Sequence, residues 1–388
     1  MAPERPSIEK FSIHVSEAVL EDLRRRLDAT RWPDQPAGGN WELGTDLDYM
    51  KSFAAHWRHR YDWRAAEAAL NQLPQHRIVL DGLPIHFVHV RGRGAKPLPL
   101  IVSHGWPGCF AEMTKILPLL TDPAAHGGNA RDAFDVVVPS LPGYGFSGIP
   151  ATRGMGGFAI AGLWARLMAE LGYERFGAQG GDWGATISTA LGLEHPKHLI
   201  GIHLNFVPGS YVPHLGRGLP EPTDEELGYL DAIRAWRGAE GAYNQLQSTK
   251  PQTLSYGLND SPIGLAAWIV EKFRTWSDCD GDLEHCFTKD ELITNVMIYW
   301  VTQTIASSMR IYNEARRRPL QFDAAQRVTP PVGVAIFPKE IPMPPRSSVE
   351  RGYNVAHWSI MPKGGHFAAM EQPALLAEDI RRFFRTLR

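Results

Sequence analysis

The sequence predicts an α/β fold: a mostly parallel sheet with helices on both faces, a helical lid inserted late in the chain, and an N-terminal extension. Three observations predict it. Short apolar runs at 98–103, 135–139, 176–179, 199–206 and 332–337 have strand length, most of them ending in glycine, proline or polar residues, as buried parallel strands do. Helical stretches at about 110–120, 157–171, 184–194 and 374–387 lie between or after them, the rhythm of βαβ units. From about 208 to 328 that rhythm gives way to helical patterning rich in Trp and Tyr, the mark of a lid over a crevice.

Taken in order, residues 11–15 alternate like a short strand. A helix follows, capped at Ser16, with Leu20, Leu23 and Leu27 on one face, and Arg31-Trp32-Pro33-Asp34 ends it. Further helices are expected over 46–59 and 63–73. Residues 76–80 and 85–90 flank Asp81-Gly82-Leu83-Pro84 as the arms of a β-hairpin. Within the lid, 225–236, 263–276 and 289–317 have helical periodicity. A strand over 357–361 precedes the last helix. These features divide the chain into an extension (1–75), a first core part (76–207), a lid (208–328) and a second core part (329–388).

Composition limits the function. Of 388 residues, 44% are hydrophobic and 21% charged, enough apolar surface for a large core. A formal net charge of −2 without a basic block argues against nucleic acid or an anionic membrane as partner. Cys109, Cys279 and Cys286 cannot make a disulfide framework, so a reducing, cytoplasmic setting is expected. No apolar run has the length of a signal-peptide core or the ~20 residues of a membrane span, so no membrane anchor is expected. Homo-oligomerisation is left open.

The chemistry centres on Gly180-Gly181-Asp182-Trp183-Gly184, between the run at 176–179 and a helix. This is the G-x-nucleophile-x-G elbow of the α/β-hydrolase fold, with Asp where serine hydrolases have Ser. Such a turn holds its central residue at positive φ, which Asp tolerates better than most residues, and the following helix N-terminus favours its charge. A carboxylate nucleophile forms an ester on an sp³ carbon, so the substrate should be an epoxide or an alkyl halide. Hydrolysing that ester needs a base. The chain order nucleophile, acid, histidine and the Gly364-Gly365-His366-Phe367 turn select His366. The acid that orients it should follow the sixth or seventh core strand. Asn205 follows the former, whereas Pro338-Lys339-Glu340 follows the latter, which selects Glu340. The turn Ser103-His104-Gly105-Trp106-Pro107-Gly108 offers the Trp106 N–H, and the elbow the Trp183 N–H, as an oxyanion hole lining the substrate site; His104 should brace the turn. Ring opening also calls for a donor to the epoxide oxygen. Tyr211, Tyr229, Tyr243, Tyr256, Tyr299 and Tyr312 are available in the lid, and spacing does not choose among them.

On these residues the chain resembles the microsomal-type epoxide hydrolases, the branch that includes the juvenile hormone epoxide hydrolases and soluble microbial members. The resemblance extends over nearly the whole length. It rests on the N-terminal segment 11–33, His104-Gly105-Trp106-Pro107-Gly108, residues 180–184, Ser248-Thr249-Lys250-Pro251, Asn259-Asp260-Ser261-Pro262 and residues 295–300 and 364–369. It implies Asp182 as nucleophile, His366 as base, Glu340 as acid, and Tyr243 and Tyr312 as the ring-opening pair, with no metal or organic cofactor. The membrane-bound members begin with a hydrophobic anchor, which is not expected here, so the resemblance does not carry over membrane localisation or lipid-like substrates, and compact microbial relatives acting on aryl epoxides or in secondary metabolism are at least as good a guide to substrate. Two other functions compete: a haloalkane or haloacid dehalogenase, whose departing halide the Trp183 indole could bind, and a non-catalytic ligand-binding protein on the same fold.

Overall fold

The computed structural model describes residues 6–209, 211, 221–322 and 326–388. Residues 1–5 of the expected extension, and 210, 212–220 and 323–325 of the expected lid, lie outside them. The strands are β1 (Glu9–Lys10), β2 (Gln75–Leu80), β3 (Leu83–Val90), β4 (Leu98–Ser103), β5 (Phe134–Pro139), β6 (Phe176–Gly180), β7 (Leu199–Leu204), β8 (Val328–Ile336) and β9 (Tyr353–Ile360). They form one sheet in the order β1-β2-β3-β5-β4-β6-β7-β8-β9. From β5 to β9 every neighbouring pair is parallel, and the first three strands add an antiparallel edge. Asp81 and Gly82, both at positive φ, make the two-residue turn between β2 and β3.

Before the sheet come helices α1 (Glu17–Asp28), α2 (Leu47–His59) and α3 (Trp63–Leu70). The core adds α4 (Leu117–Thr121), α5 (Gly157–Glu170) and α6 (Asp182–Glu194). Between β7 and β8 lie α7 (Asp224–Glu240), α8 (Ala242–Thr249), α9 (Pro251–Asp260), α10 (Pro262–Trp276), α11 (Lys289–Thr302) and α12 (Ile305–Arg317). The chain closes with α13 (Arg346–Glu350), α14 (Ala368–Glu371) and α15 (Pro373–Arg385). Helices cover both faces of the sheet. A Cβ on Gly201 would strike Phe383 and Leu387 of the C-terminal segment, whereas the next residue, Ile202, reaches Gly192 of α6 on the other face.

The expected strand at 11–15 is not one. Its N–H groups at Ile13 and Val15 are taken by side chains, Asn71 Oδ1 at 2.8 Å and Glu67 Oε1 at 2.7 Å, so α3 replaces a strand partner. Ser16 occupies the cap position of α1 but makes no side-chain capping bond, and that helix ends at Asp28, ahead of Arg31. The expected helix at 110–120 divides into a tight turn over Phe110–Thr114 and the short α4. That at 289–317 is broken where Gln303 turns left-handed (φ 54°) and the Thr302 and Thr304 hydroxyls bond each other at 2.7 Å. Local side-chain and backbone alternatives defeat periodicity in each case. Among the described residues no helix is long and apolar enough to cross a membrane.

A buried charged cluster fastens the last helix to the sheet. Asp379 of α15 accepts from Ser359 at 2.7 Å and contacts His357 Nε2 at 2.8 Å and His203 Nε2 at 2.9 Å. Burial alone would raise this carboxyl, but its three partners outweigh that and hold it below the usual Asp range. A depressed carboxylate stabilises the fold above the ordinary Asp pKa and loses that contribution as pH falls through its lowered value. Asp379→Ala should therefore cost about 3 kcal/mol in urea unfolding at neutral pH, and a loss under about 1 kcal/mol would contradict this account.

Candidate active site

The strand ends build the site. β4 runs into the turn at 104–108, β6 into Asp182, β7 into Asn205, β8 into Glu340 and β9 into His366, all at the C-terminal edge of the parallel strands. Asp182 has φ 47°, the strained backbone expected of an elbow. Two glycines make that position available. A Cβ on Gly184 would lie 2.0 Å from the Ser103 carbonyl, and one on Gly105 would lie 2.2 Å from Asp182 Oδ1. Strand, helix and turn thus meet at van der Waals limits around one carboxylate.

The Trp106 N–H donates to Asp182 Oδ1 at 2.8 Å. The Trp183 N–H lies in the first turn of α6, ahead of the first helical bond from the Ala185 N–H to the Gly181 carbonyl, among the donors a helix leaves unpaired. His104 is buried; the Leu141 N–H donates to its Nε2 at 3.2 Å, so the proton is on Nδ1 and goes to the Gly105 carbonyl at 3.0 Å. Burial pushes it down to about 4, and the neutral ring braces the turn.

On the other side of Asp182, His366 Nε2 lies 3.4 Å from Oδ2, and His366 Nδ1 lies 2.6 Å from Glu340 Oε1. Glu340 Oε1 also accepts from the Ile341 N–H at 2.7 Å. Burial pulls His366 down, but the charges of Glu340 and Asp182 and its hydrogen bonds to both outweigh it and hold the imidazole well above its ordinary value. The structure therefore brings Asp182, His366 and Glu340 into one contact chain.

Tyr243 of α8 and Tyr312 of α12 converge from the lid, their rings 5.9 Å apart. Tyr243 stacks on Trp106 at 5.6 Å, and Tyr312 meets the edge of Trp183 at 4.7 Å. The buried Tyr312 side chain thus lies against both Tyr243 and Trp183. Burial raises both phenols above the ordinary Tyr range and keeps them protonated. Of the other lid tyrosines, Tyr299 donates to the Gly108 carbonyl at 2.6 Å and Tyr211 to the Ser348 carbonyl at 2.7 Å, while Tyr256 is exposed.

Further residues brace these groups. Asn295 donates to the Pro107 carbonyl at 2.8 Å, so with Tyr299 it clamps the turn after β4 to α11. Four successive N–H groups around the histidine are held as well. Gly364 donates to Asp278 Oδ2 at 2.8 Å, Gly365 and Phe367 to Glu371 at 3.0 and 2.9 Å, and His366 to the Trp276 carbonyl at 2.8 Å. Glu371 also accepts from the Asp278 N–H at 2.8 Å. Only the spacing of five residues between His366 and Glu371, one helical turn beyond the loop, hints at this in the sequence.

These features define an α/β-hydrolase with a carboxylate at the nucleophile position, and the family model for the alpha/beta hydrolase fold matches residues 99–304. The model for the epoxide hydrolase N terminus matches residues 8–113. Epoxide hydrolase 1 of Sus scrofa is 40% identical over 412 residues, covering 100% of this chain and 90% of the relative. Among solved structures, juvenile hormone epoxide hydrolase of the silkworm Bombyx mori superposes with a TM-score of 0.88 at 33% identity, covering 99% of this chain and 95% of that one. Aspergillus niger epoxide hydrolase superposes with a TM-score of 0.85 at 27% identity, covering 98% and 97%. The chain belongs to the epoxide hydrolase family, and it is an enzyme that hydrolyses epoxides.

Glu371→Ala leaves three N–H groups around the histidine loop without their acceptor. It should lower stability by at least about 2 kcal/mol and lower turnover without changing substrate KM. Equal stability and turnover would show the loop is held by other contacts.

Proposed function

We propose that this enzyme opens its epoxide with the carboxylate of Asp182, through a covalent hydroxyalkyl ester that His366 then hydrolyses to a vicinal diol. The contact chain Asp182–His366–Glu340, with the Trp106 N–H already on Asp182 Oδ1, is the observation that carries this reading. One oxygen of Asp182 bonds to an epoxide carbon as the bond from that carbon to the ring oxygen breaks. Tyr243 and Tyr312 hydrogen-bond the ring oxygen, and one phenol passes its proton to the alkoxide.

Esterification removes the charge of Asp182 and with it part of what holds the proton on His366. That proton returns to the phenolate, leaving His366 neutral and able to act as a base. It then takes a proton from water, the hydroxide adds to the Asp182 carbonyl carbon, and the Trp106 and Trp183 N–H groups hold the oxyanion. The ester C–O bond breaks, the alkoxide takes the carboxyl proton, and Asp182 and imidazolium are restored as the diol leaves. Glu340 fixes the tautomer of His366 and its charge. Aromatic rings from Trp106, Trp183, Tyr243 and Tyr312 around the nucleophile favour aryl and alkyl terminal epoxides. The free thiols of Cys109, Cys279 and Cys286 support work in a reducing compartment, the cytoplasm.

Wild-type protein should form diol from a panel of terminal epoxides such as styrene oxide, and Asp182→Ala should form none. His366→Gln should accumulate the ester as a mass adduct of the intact protein, and normal turnover without an adduct would sink the scheme. Because the base must be neutral, ester hydrolysis in the wild type should slow as pH falls through the value His366 has in the ester. Tyr243→Phe and Tyr312→Phe should each slow ester formation on the order of a hundredfold, read by rapid quench, while ester hydrolysis is unchanged. Equal slowing of both steps would remove the tyrosines from ring opening.

A further inference from the structure

The scheme leaves one carboxyl of the site unassigned. Glu112 belongs to the tight turn after the oxyanion loop, and its side chain folds back over Gly108. A Cβ at Gly108 would lie 1.2 Å from Glu112 Oε1, so the glycine leaves the space that this carboxyl fills. A small cavity joins Glu112 directly to the reacting groups. Asp182, His366, Gln179 and Asn205 line it with Glu112, and its volume of about 20 Å³ is enough for roughly one water molecule. Gln179 is not free to serve that cavity fully, since it donates to Asn205 Oδ1 at 2.7 Å.

We propose that Glu112 is a positioning residue for the hydrolytic water, accepting one of its O–H bonds while the other faces His366. This rests on the Asp182 ester reading and adds a second anchor to it. A lone histidine defines only one direction of approach for a water molecule. A second acceptor on the opposite side fixes the remaining rotation and aims the oxygen lone pair at the ester carbon. As His366 takes the first proton, the water's second O–H stays on Glu112 as a hydrogen bond. The oxygen bonds to the Asp182 carbonyl carbon, and no proton is left on Glu112 at the end of the cycle.

The charges around Glu112 change through the cycle. Burial and the Asp182 charge raise it, to about 8, against the pull of His366. Esterification takes away the Asp182 charge, and water activation creates an imidazolium. The neutral His366 of the ester exerts no such pull, and the imidazolium restored as the water is deprotonated lowers Glu112 again, so its carboxylate form is favoured at that proton transfer.

The test is pre-steady-state kinetics on full-length Glu112→Gln with styrene oxide, separating ester formation from ester hydrolysis by rapid quench and intact mass. We expect formation within about twofold of wild type, hydrolysis slower by about tenfold to a hundredfold, and ester visible in the steady state. Glu112→Asp, which keeps the acid but withdraws it by one methylene, should show the same split to a smaller degree. The proposal is overturned if both steps are unchanged, or if both fall together with the thermal midpoint in both variants, the pattern of a residue that only supports the turn. His366→Gln separates the two readings. No ester in that variant defeats the Asp182 scheme, whereas ester there but not in Glu112→Gln defeats only the role of Glu112.

Discussion

The structure depends on one close approach: the carboxylate of Asp182, at positive φ, lodged between the end of β6, the start of α6 and the turn after β4. Left-handed backbone at a non-glycine residue costs on the order of 1–3 kcal/mol. It persists because its surroundings leave no alternative. Gly184 lets α6 come down onto Ser103, and Gly105 opens the space Asp182 Oδ1 occupies. The Trp106 N–H then meets that oxygen. Each piece makes sense only with the others, so the elbow and the oxyanion turn form one unit.

A second unit is the histidine loop, and the helices between β7 and β8 help to hold both. Asn295 and Tyr299 of α11 take the carbonyls of the oxyanion turn, while Trp276 and Asp278, at the end of α10, take N–H groups of the histidine loop. The buried ammonium of Lys272, 4.9 Å from the Tyr243 ring, packs the same helix against α8. The helices between β7 and β8 therefore fix both the turn after β4 and the loop of His366.

What could be read from the sequence follows from where geometry is local. The glycines around Asp182, and the glycine pair before His366, are demanded by backbone shape and so leave a trace at fixed spacing. Glu340 follows by elimination, because Asn205 occupies the alternative position. Tyr243 and Tyr312 had no signal of their own among the lid tyrosines, and only the resemblance singled them out. Glu371 and Asp278 were not legible, since a carboxylate that accepts backbone N–H groups across a fold has no characteristic neighbours in sequence. The strand expected at 11–15 failed for a related reason. Alternation was present, but Asn71 and Glu67 had already taken its hydrogen bonds. The break at Gln303 turned on one residue's backbone, which periodicity does not sense.

The bonding of α10 and α11 to the catalytic loops also bears on how substrate range can drift. Helices that carry the backbone of the oxyanion turn and of the histidine cannot be reshaped for a new ligand without disturbing the chemistry. The α7 helix has looser ties, chiefly the Glu226–Arg351 ion pair at 2.8 Å and the bond from Arg237 to the Gly209 carbonyl at 2.7 Å. Both tie it to segments outside the turn after β4 and the histidine loop. New specificities in this scaffold should therefore arise by remodelling α7 and its flanking segments, leaving α10 and α11 as the inherited frame.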